Sequence, residues 1–166
     1  MQKKKPLLSF LLPYAIGLLV IRLLIDTLIK STGWGWNGEF YGGLFSFFIE
    51  LTVIFLAIRN YKLFQNSGSL LFSEGVKIGV GLLLIVGIAF SIYISFIHGM
   101  LIDPDYQQNI AEEAAKVMQQ NNPNANTTAI TQKPSSPFVG FGMSILKYIF
   151  IGAFGGIISA AILKTE

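Results

Sequence analysis

Residues Ser73 to Asp105 read S-E-G-V-K-I-G-V-G-L-L-L-I-V-G-I-A-F-S-I-Y-I-S-F-I-H-G-M-L-I-D-P-D. From Ile78 to Ile102 there is no Asp, Glu, Lys or Arg. An apolar run of about eighteen or more such residues is long enough to cross a bilayer as a helix. Gly75, Gly79, Gly87, Ser91, Ser95 and Gly99 fall on one four-residue register, interrupted by Leu83. Side chains this small let a second backbone come close, and close packing is what joins helices in lipid. The stretch predicts a membrane span at about 76–100 with one face prepared for a partner helix.

Composition agrees with that reading. Of 166 residues, 52% are apolar and 13% charged, the latter about half the share usual in soluble domains. The length leaves room for one domain. Seventeen glycines fit a helical membrane protein. There is no cysteine, which removes disulfides, thiolate metal sites, cysteine catalysis and a lipid-modified cysteine. The net charge of +3 is no sign of nucleic acid, because the basic residues lie at segment ends without interleaved aromatics.

Three further spans flank the first. Lys3, Lys4 and Lys5 precede an apolar run from Leu7. A secretory signal has that form, but no small-residue cleavage site follows and hydrophobicity resumes past Arg22. An uncleaved span at about 7–29 is the better fit, with Pro13 in an early turn where a lost N–H is tolerated. Lys30 to Glu39 reads as a loop, its Trp34 and Trp36, with Tyr41, forming an interfacial aromatic belt. The second span covers about 40–58, and Ser73 reads as the N-cap of the third. The fourth covers about 138–163, where Gly140, Ser144, Gly152, Gly156 and Ala160 repeat the four-residue register, broken by Tyr148. The two striped helices are expected to pack together.

Between the third and fourth spans the pattern changes. Asp103 reads as a cap, Pro104 as the first helical residue and Asp105 as a complement to the helix dipole. Tyr106, Ile110, Ala114, Val117 and Met118 then recur at helical spacing opposite Gln107, Glu112, Glu113, Lys116 and Gln120. That is an amphipathic helix outside the hydrocarbon, followed by a polar linker up to residue 137. Lys and Arg near span ends divide seven to three in favour of the side that holds both termini. The positive-inside tendency then predicts an all-α bundle of four transmembrane helices with both termini cytoplasmic and 103–137 facing outward.

Four ionisable residues fall inside these spans: Arg22, Asp26, Glu50 and Lys147. Each costs roughly 2.5–3.5 kcal/mol on insertion scales, so such residues usually face the bundle interior. Two positive and two negative charges at similar depth can neutralise one another. Arg22 and Asp26 are four apart on one helix, and Glu50 has Lys147 or Arg22 as a partner. Glu50 also shares a register with Gly42 and Ser46. A static ion-pair cluster and a proton, ion or solute pathway are both compatible with these charges. His98, near the outer end of the third span, reads as an interfacial hydrogen-bonding histidine. No nucleophile elbow, H-E-x-x-H, P-loop or complete dinucleotide fingerprint is present. No catalytic residue, cofactor or metal site is expected.

The basic loop Arg59-Asn60-Tyr61-Lys62, the entry Phe72-Ser73, the run Gly75-Val76-Lys77-Ile78-Gly79 and the exit Ile102-Asp103-Pro104-Asp105-Tyr106 form a further pattern. Together with the glycine-rich closing helix ending in Leu163-Lys164, it resembles a bacterial membrane family known as domain of unknown function 4199. The resemblance implies a four-helix inner-membrane protein and supplies no activity, so no catalytic residues carry over from it. With enzyme motifs absent, the two small-residue stripes and the amphipathic segment make the expected function a non-enzymatic structural or interaction component of the bacterial envelope. Its expected partners are the lipid bilayer and either a second copy or another membrane protein. A small transporter or ion-coupled protein using Arg22, Asp26, Glu50 and Lys147 is the alternative.

Overall fold

The computed structural model describes residues 6–128 and 137–165, with the backbone alone for Gln107. Lys3, Lys4, Lys5 and residues 129–136 of the expected linker, Lys133 included, lie outside them. The described chain is helical, with no strand: α1 (Leu7–Thr32), α2 (Gly35–Phe64), α3 (Phe72–Ile92), α4 (Tyr106–Asn121) and α5 (Pro137–Leu163). A π-helical stretch, Tyr93–Ile102, continues α3 without a break. Leu7–Thr32, Gly35–Phe64, Phe72–Ile102 and Pro137–Leu163 are each long and apolar enough to cross a membrane. Even the 26 residues of α1 extend about 39 Å at 1.5 Å per residue, beyond the ~30 Å of hydrocarbon.

The helices overrun the limits read from the sequence. Expected as a loop, Lys30 to Glu39 reduces to a turn at Gly33 and Trp34, with Gly33 in the left-handed region at φ 64°. Its W-N-G-E residues belong to the first turn of α2. An intrahelical hydrogen bond satisfies a backbone group wherever water is scarce, so helices near lipid extend as far as sequence allows. Ser73 does not cap α3. Leu71 precedes the helix, and the Glu74 carboxylate accepts from its N–H at 3.0 Å and from Asn66 Nδ2 at 3.0 Å. Asp103 to Asp105 form a turn, and α4 begins only at Tyr106.

In packing, α1 lies against α2 and α3, while α5 lies against α2 and, most extensively, α3. Leu11, Leu18, Ile54, Ile58, Ile78, Leu82, Leu83 and Val86 fill the centre. Leu8, Leu28, Phe45 and Phe150 are among many large apolar side chains on the exterior, a surface suited to hydrocarbon. Lipid tails are as apolar as these side chains, so burial alone does not drive the helices together; interhelical contact does.

That contact is closest along the two small-residue stripes, which run antiparallel. Each four-residue step up α3 meets a four-residue step down α5: Gly75 faces Ala160, Gly79 faces Gly156, Gly87 faces Tyr148, and Ser95 lies near Gly140. Gly152 also meets the Gly79 backbone. Tyr148, the break in the α5 stripe, is a buried knob seated in the notch that Gly87 leaves. Leu83, the break in the α3 stripe, is buried too. Gly99 leaves the seam: the wider π turn intervenes, and a side chain there would meet its own Ile94 carbonyl at 2.9 Å. Ser144 is half-buried, one turn from Tyr148.

The seam makes glycine substitutions separable. A methyl on Gly79 would stand 2.5 Å from the Gly152 carbonyl oxygen, and one on Gly152 would stand 2.7 Å from that of Gly79. Backbone cannot swing aside, so Gly79→Ala and Gly152→Ala should each cost about 1–3 kcal/mol by overpacking. Gly142 has open space around it, so Gly142→Ala should be neutral or gain up to about 1 kcal/mol in helix propensity. Equilibrium unfolding in mixed micelles measures both; equal behaviour of the three variants would contradict this seam.

Candidate functional site

The ionisable residues of the spans gather in two groups. At mid-depth, Arg22 from α1 reaches every other span. Its Nε lies 3.9 Å from Glu50 Oε1 on α2 and donates to the Tyr148 hydroxyl of α5 at 3.2 Å. Its guanidinium carbon stands 4.8 Å from the centroid of the Phe90 ring on α3. A planar guanidinium with five donors and a stacking face suits such a junction, where a lysine would offer a single point of charge. Glu50 is 3% exposed, one turn from the buried Ser46, whose hydroxyl donates to the Gly42 carbonyl at 2.7 Å.

About one turn further out, Asp26 pairs with Lys30 at 2.6 Å. The Lys30 ammonium also lies 5.5 Å from the Tyr93 ring centroid and 5.1 Å from that of Tyr106. Two aromatic faces and a carboxylate thus surround one cation, an arrangement favoured electrostatically in a partly dry site. Tyr106 donates its hydroxyl to Glu39 Oε1 at 2.7 Å, which ties α4 to α2. The His98 ring is 6% exposed and stands edge-on to Tyr106, with centroids 5.3 Å apart. Among the described residues its ring packs against Tyr106 and Tyr93 and makes no side-chain hydrogen bond.

The π-helical stretch Tyr93–Ile102 builds this outer group. Backbone bonds of the i to i+5 kind widen the helix, as where Asp103 N–H donates to the His98 carbonyl at 2.9 Å. The widened turn is the local element that carries both Tyr93 and His98, and π segments are rare and concentrate at functional positions. A second clamp holds α4. Glu113 accepts the Trp36 N–H at 2.7 Å, supplying from another helix the cap that Trp34 does not provide to α2. The same acid end suits the positive end of the α2 dipole.

The sequence-based grouping of Arg22, Asp26, Glu50 and Lys147 therefore divides. Arg22 and Glu50 meet, as one of the two expected pairings had it. Asp26 turns to Lys30 rather than Arg22, because both lie four residues away and Arg22 is engaged by Glu50 and Tyr148. Lys147 makes no ion pair with a described residue. It is exposed, although Arg22, Glu50 and Glu39 all act on it electrostatically. With Lys30 and Glu39 included, the set holds three positive and three negative groups, so the charges still balance in number while Lys147 lacks a direct ion pair among the described residues. Lys30, Tyr148, Tyr93, Tyr106 and Glu39 were missed as site residues. The four-residue step from Asp26 to Lys30 and the Tyr148 break in the stripe were the available signals.

Two features lie apart from these groups. Ser91 is fully buried, and its hydroxyl finds no hydrogen-bond partner among the described residues; the seam's register places it level with Ser144. A shallow groove of about 260 Å³ between α2 and α5 is lined by Leu51, Thr52, Phe55, Gly155, Ile158 and Ser159. Among the described residues no three His, Asp or Glu side chains gather as metal ligands would.

The clamps on α4 are measurable. Burial, and next the hydrogen bond to Glu39 and its charge, raise the Tyr106 pKa well above its ordinary 10.0. The unfolded chain then releases this proton before the folded chain does. Tyr106 therefore contributes no pH dependence below 10, and stability falls as pH climbs beyond 10, an effect that Tyr106→Phe should remove in ultraviolet-monitored unfolding. Glu113→Ala removes the cap on Trp36 and should cost about 1 kcal/mol. Hydrogen exchange should quicken across Tyr106–Asn121 in that variant, and unchanged exchange would contradict the clamp.

No curated protein and no solved structure matches this chain. A family model described as "Protein of unknown function (DUF4199)" matches residues 13–165. With four membrane-compatible helices and a match over nearly its whole length, the chain belongs to that family of unknown function.

Proposed function

We propose that this protein is a non-enzymatic multi-pass component of the bacterial inner membrane, acting through helix packing and through its α4 surface. Both termini lie on the cytoplasmic side in this reading, and α4 faces outward. The lysine and arginine distribution supports that orientation, with Arg59, Lys62, Lys77 and Lys164 at one end of the bundle. Another membrane protein or a second copy is the natural partner for a protein of this kind, and nucleic acid is not.

One observation carries the reading: Arg22 engages Glu50, Phe90 and Tyr148 at once, so a single guanidinium joins all four spans. A charge held on three sides serves the register of the bundle. Removing its carboxylate would leave a buried positive charge unpaired, which costs about 3–5 kcal/mol in buried pairs generally. Glu50→Ala should therefore destabilise strongly, while Arg22→Met with Glu50→Leu should cost less than Glu50→Ala alone. Unfolding in mixed micelles measures this; a double variant worse than the sum of its singles would contradict a purely structural pair.

A small transporter or ion-coupled protein is the second reading, and it draws on Lys147. This exposed cation, close to Glu50 but unpaired among the described residues, is unneeded for a static pair. Proton or cation flux in reconstituted vesicles distinguishes the two. The structural reading expects no flux above empty vesicles. Flux that disappears in Glu50→Gln would replace it with the transport reading.

A further inference from the structure

On α5, Lys147, Ile151, Gly155 and Ser159 form a four-residue row one position over from the row that meets α3. The part of this row nearer the C-terminus lies against α2: a methyl on Gly155 would stand 2.7 Å from Ile54 Cδ1 and 2.9 Å from Leu51 Cδ2. Burial falls along the row, from buried Ser159 and Gly155 through half-buried Ile151 to exposed Lys147. α2 therefore covers one end of it and leaves the other open. Two polar groups on the row lack a partner. Residue 150 is the middle of α5, and Lys147 stands three residues, about 5 Å, away from it. With α5 centred in ~30 Å of hydrocarbon, the lysine backbone lies roughly 10 Å inside, and a four-carbon stem covers only part of that distance. No described carboxylate pairs with this cation. Ser159 is 3% exposed, and its hydroxyl makes no hydrogen bond to a described residue. It lines the shallow α2–α5 groove with Thr52, whose own hydroxyl is given to the Phe48 carbonyl at 2.8 Å.

We propose that the α2–α5 cleft docks one transmembrane helix of another membrane protein, a helix with an Asp or Glu opposite Lys147 and a small, hydrogen-bonding face over Gly155 and Ser159. The proposal rests on the interaction reading above and names the chemistry of its partner. A cation within a span draws a carboxylate from a neighbouring helix, and small residues beside a free hydroxyl let that helix come close and bond. The spacing selects the occupant. Lys147 and Ser159 lie twelve residues apart, about 18 Å along α5. A lipid or fatty acid gathers its polar groups at one end and meets one of these demands, whereas a helix carries polar groups along its length and meets both. A second copy of this chain lacks the acid: Asp26 and Glu50, the described carboxylates near this depth, are buried and already engaged by Lys30 and Arg22.

Energy transfer in phosphatidylcholine vesicles tests this, between the labelled full chain and a synthetic single-span leucine–alanine helix. The probe carries one Glu about three turns from a Gly–Ser face, and two counterparts carry Gln or Lys in its place. The wild type should bind the Glu probe about tenfold more tightly than the Gln probe, the usual scale of a polar contact between membrane helices. Lys147→Gln should bind the two alike, and Lys147→Glu should turn the preference to the Lys probe. Ser159→Ala should weaken binding of the Glu and Gln probes about threefold, while Lys164→Gln at the far end of α5 should behave as wild type. Thermal unfolding checks that each variant folds; should Lys147→Glu fail, Lys147→Gln decides. Equal binding of the Glu and Gln probes by the wild type would overturn the proposal, as would a Glu preference that survives Lys147→Gln. Displacement of the probe by unlabelled full chain would assign the cleft to a second copy, and displacement by palmitate to an amphiphilic anion; either overturns it. Ion flux is read in the same vesicles, so a failed probe without flux removes this site alone, whereas flux lost in Glu50→Gln removes the interaction reading.

Discussion

The approach of the α3 and α5 backbones at Gly79 and Gly152 is the constraint on which the remaining structure rests. In lipid there is no water to expel from between two helices, so the attraction must come from contact itself. Contact is greatest where no Cβ stands in the way, and it is specific where one helix offers a knob to the other's notch. Tyr148 in the Gly87 notch does this, which locks the antiparallel register against a one-turn slip. The same registration presents the Tyr148 hydroxyl to Arg22. The glycine seam thus positions the charged junction that ties in α1 and α2.

Charge behaves here as the medium requires. A group that would be solvated at a soluble surface must find a counter-charge, a dipole or an aromatic face inside a membrane bundle. Arg22 finds all three kinds of neighbour, and Lys30 finds a carboxylate with two rings. Lys147, which makes no ion pair with a described residue, stays exposed. Ion pairs that cross between helices, such as Arg22 with Glu50, restrict rotation of each helix about its axis. A pair within one helix, such as Asp26 with Lys30, does not; it acquires a tertiary role only through Tyr93 and Tyr106, which bring the π stretch and α4 to the same cation.

The two ends of the bundle are built on different principles. At the α4 end three charged groups are engaged within the chain: Glu39 by Tyr106, Glu113 by the first turn of α2, Lys30 by Asp26. The opposite end uses Lys62 and Glu74 to close helix termini and leaves Arg59, Lys77 and Lys164 outward. One end is shaped to hold a helix of this chain and the other is open to whatever surrounds it. Both follow from where helices stop, since termini are where backbone groups need partners.

Much of this was written in the chain. The absence of charge over 78–102, the four-residue stripes and the resemblance of the Asp-Pro-Asp-Tyr exit placed four membrane helices and their family, because composition and period report directly on the surrounding medium. Which stripe meets which was also legible, since the two longest small-residue registers lie on α3 and α5. What tertiary structure decided was the choice among equivalent local options. Asp26 had a cation four residues away in either direction, and only the placement of Glu50 and Tyr148 around Arg22 directed it to Lys30. The π turn at Tyr93, and with it the inward His98, has no periodic signature, because it shifts the register instead of repeating one. Partner choice depends on what already occupies the neighbour, and a linear sequence does not contain that occupancy.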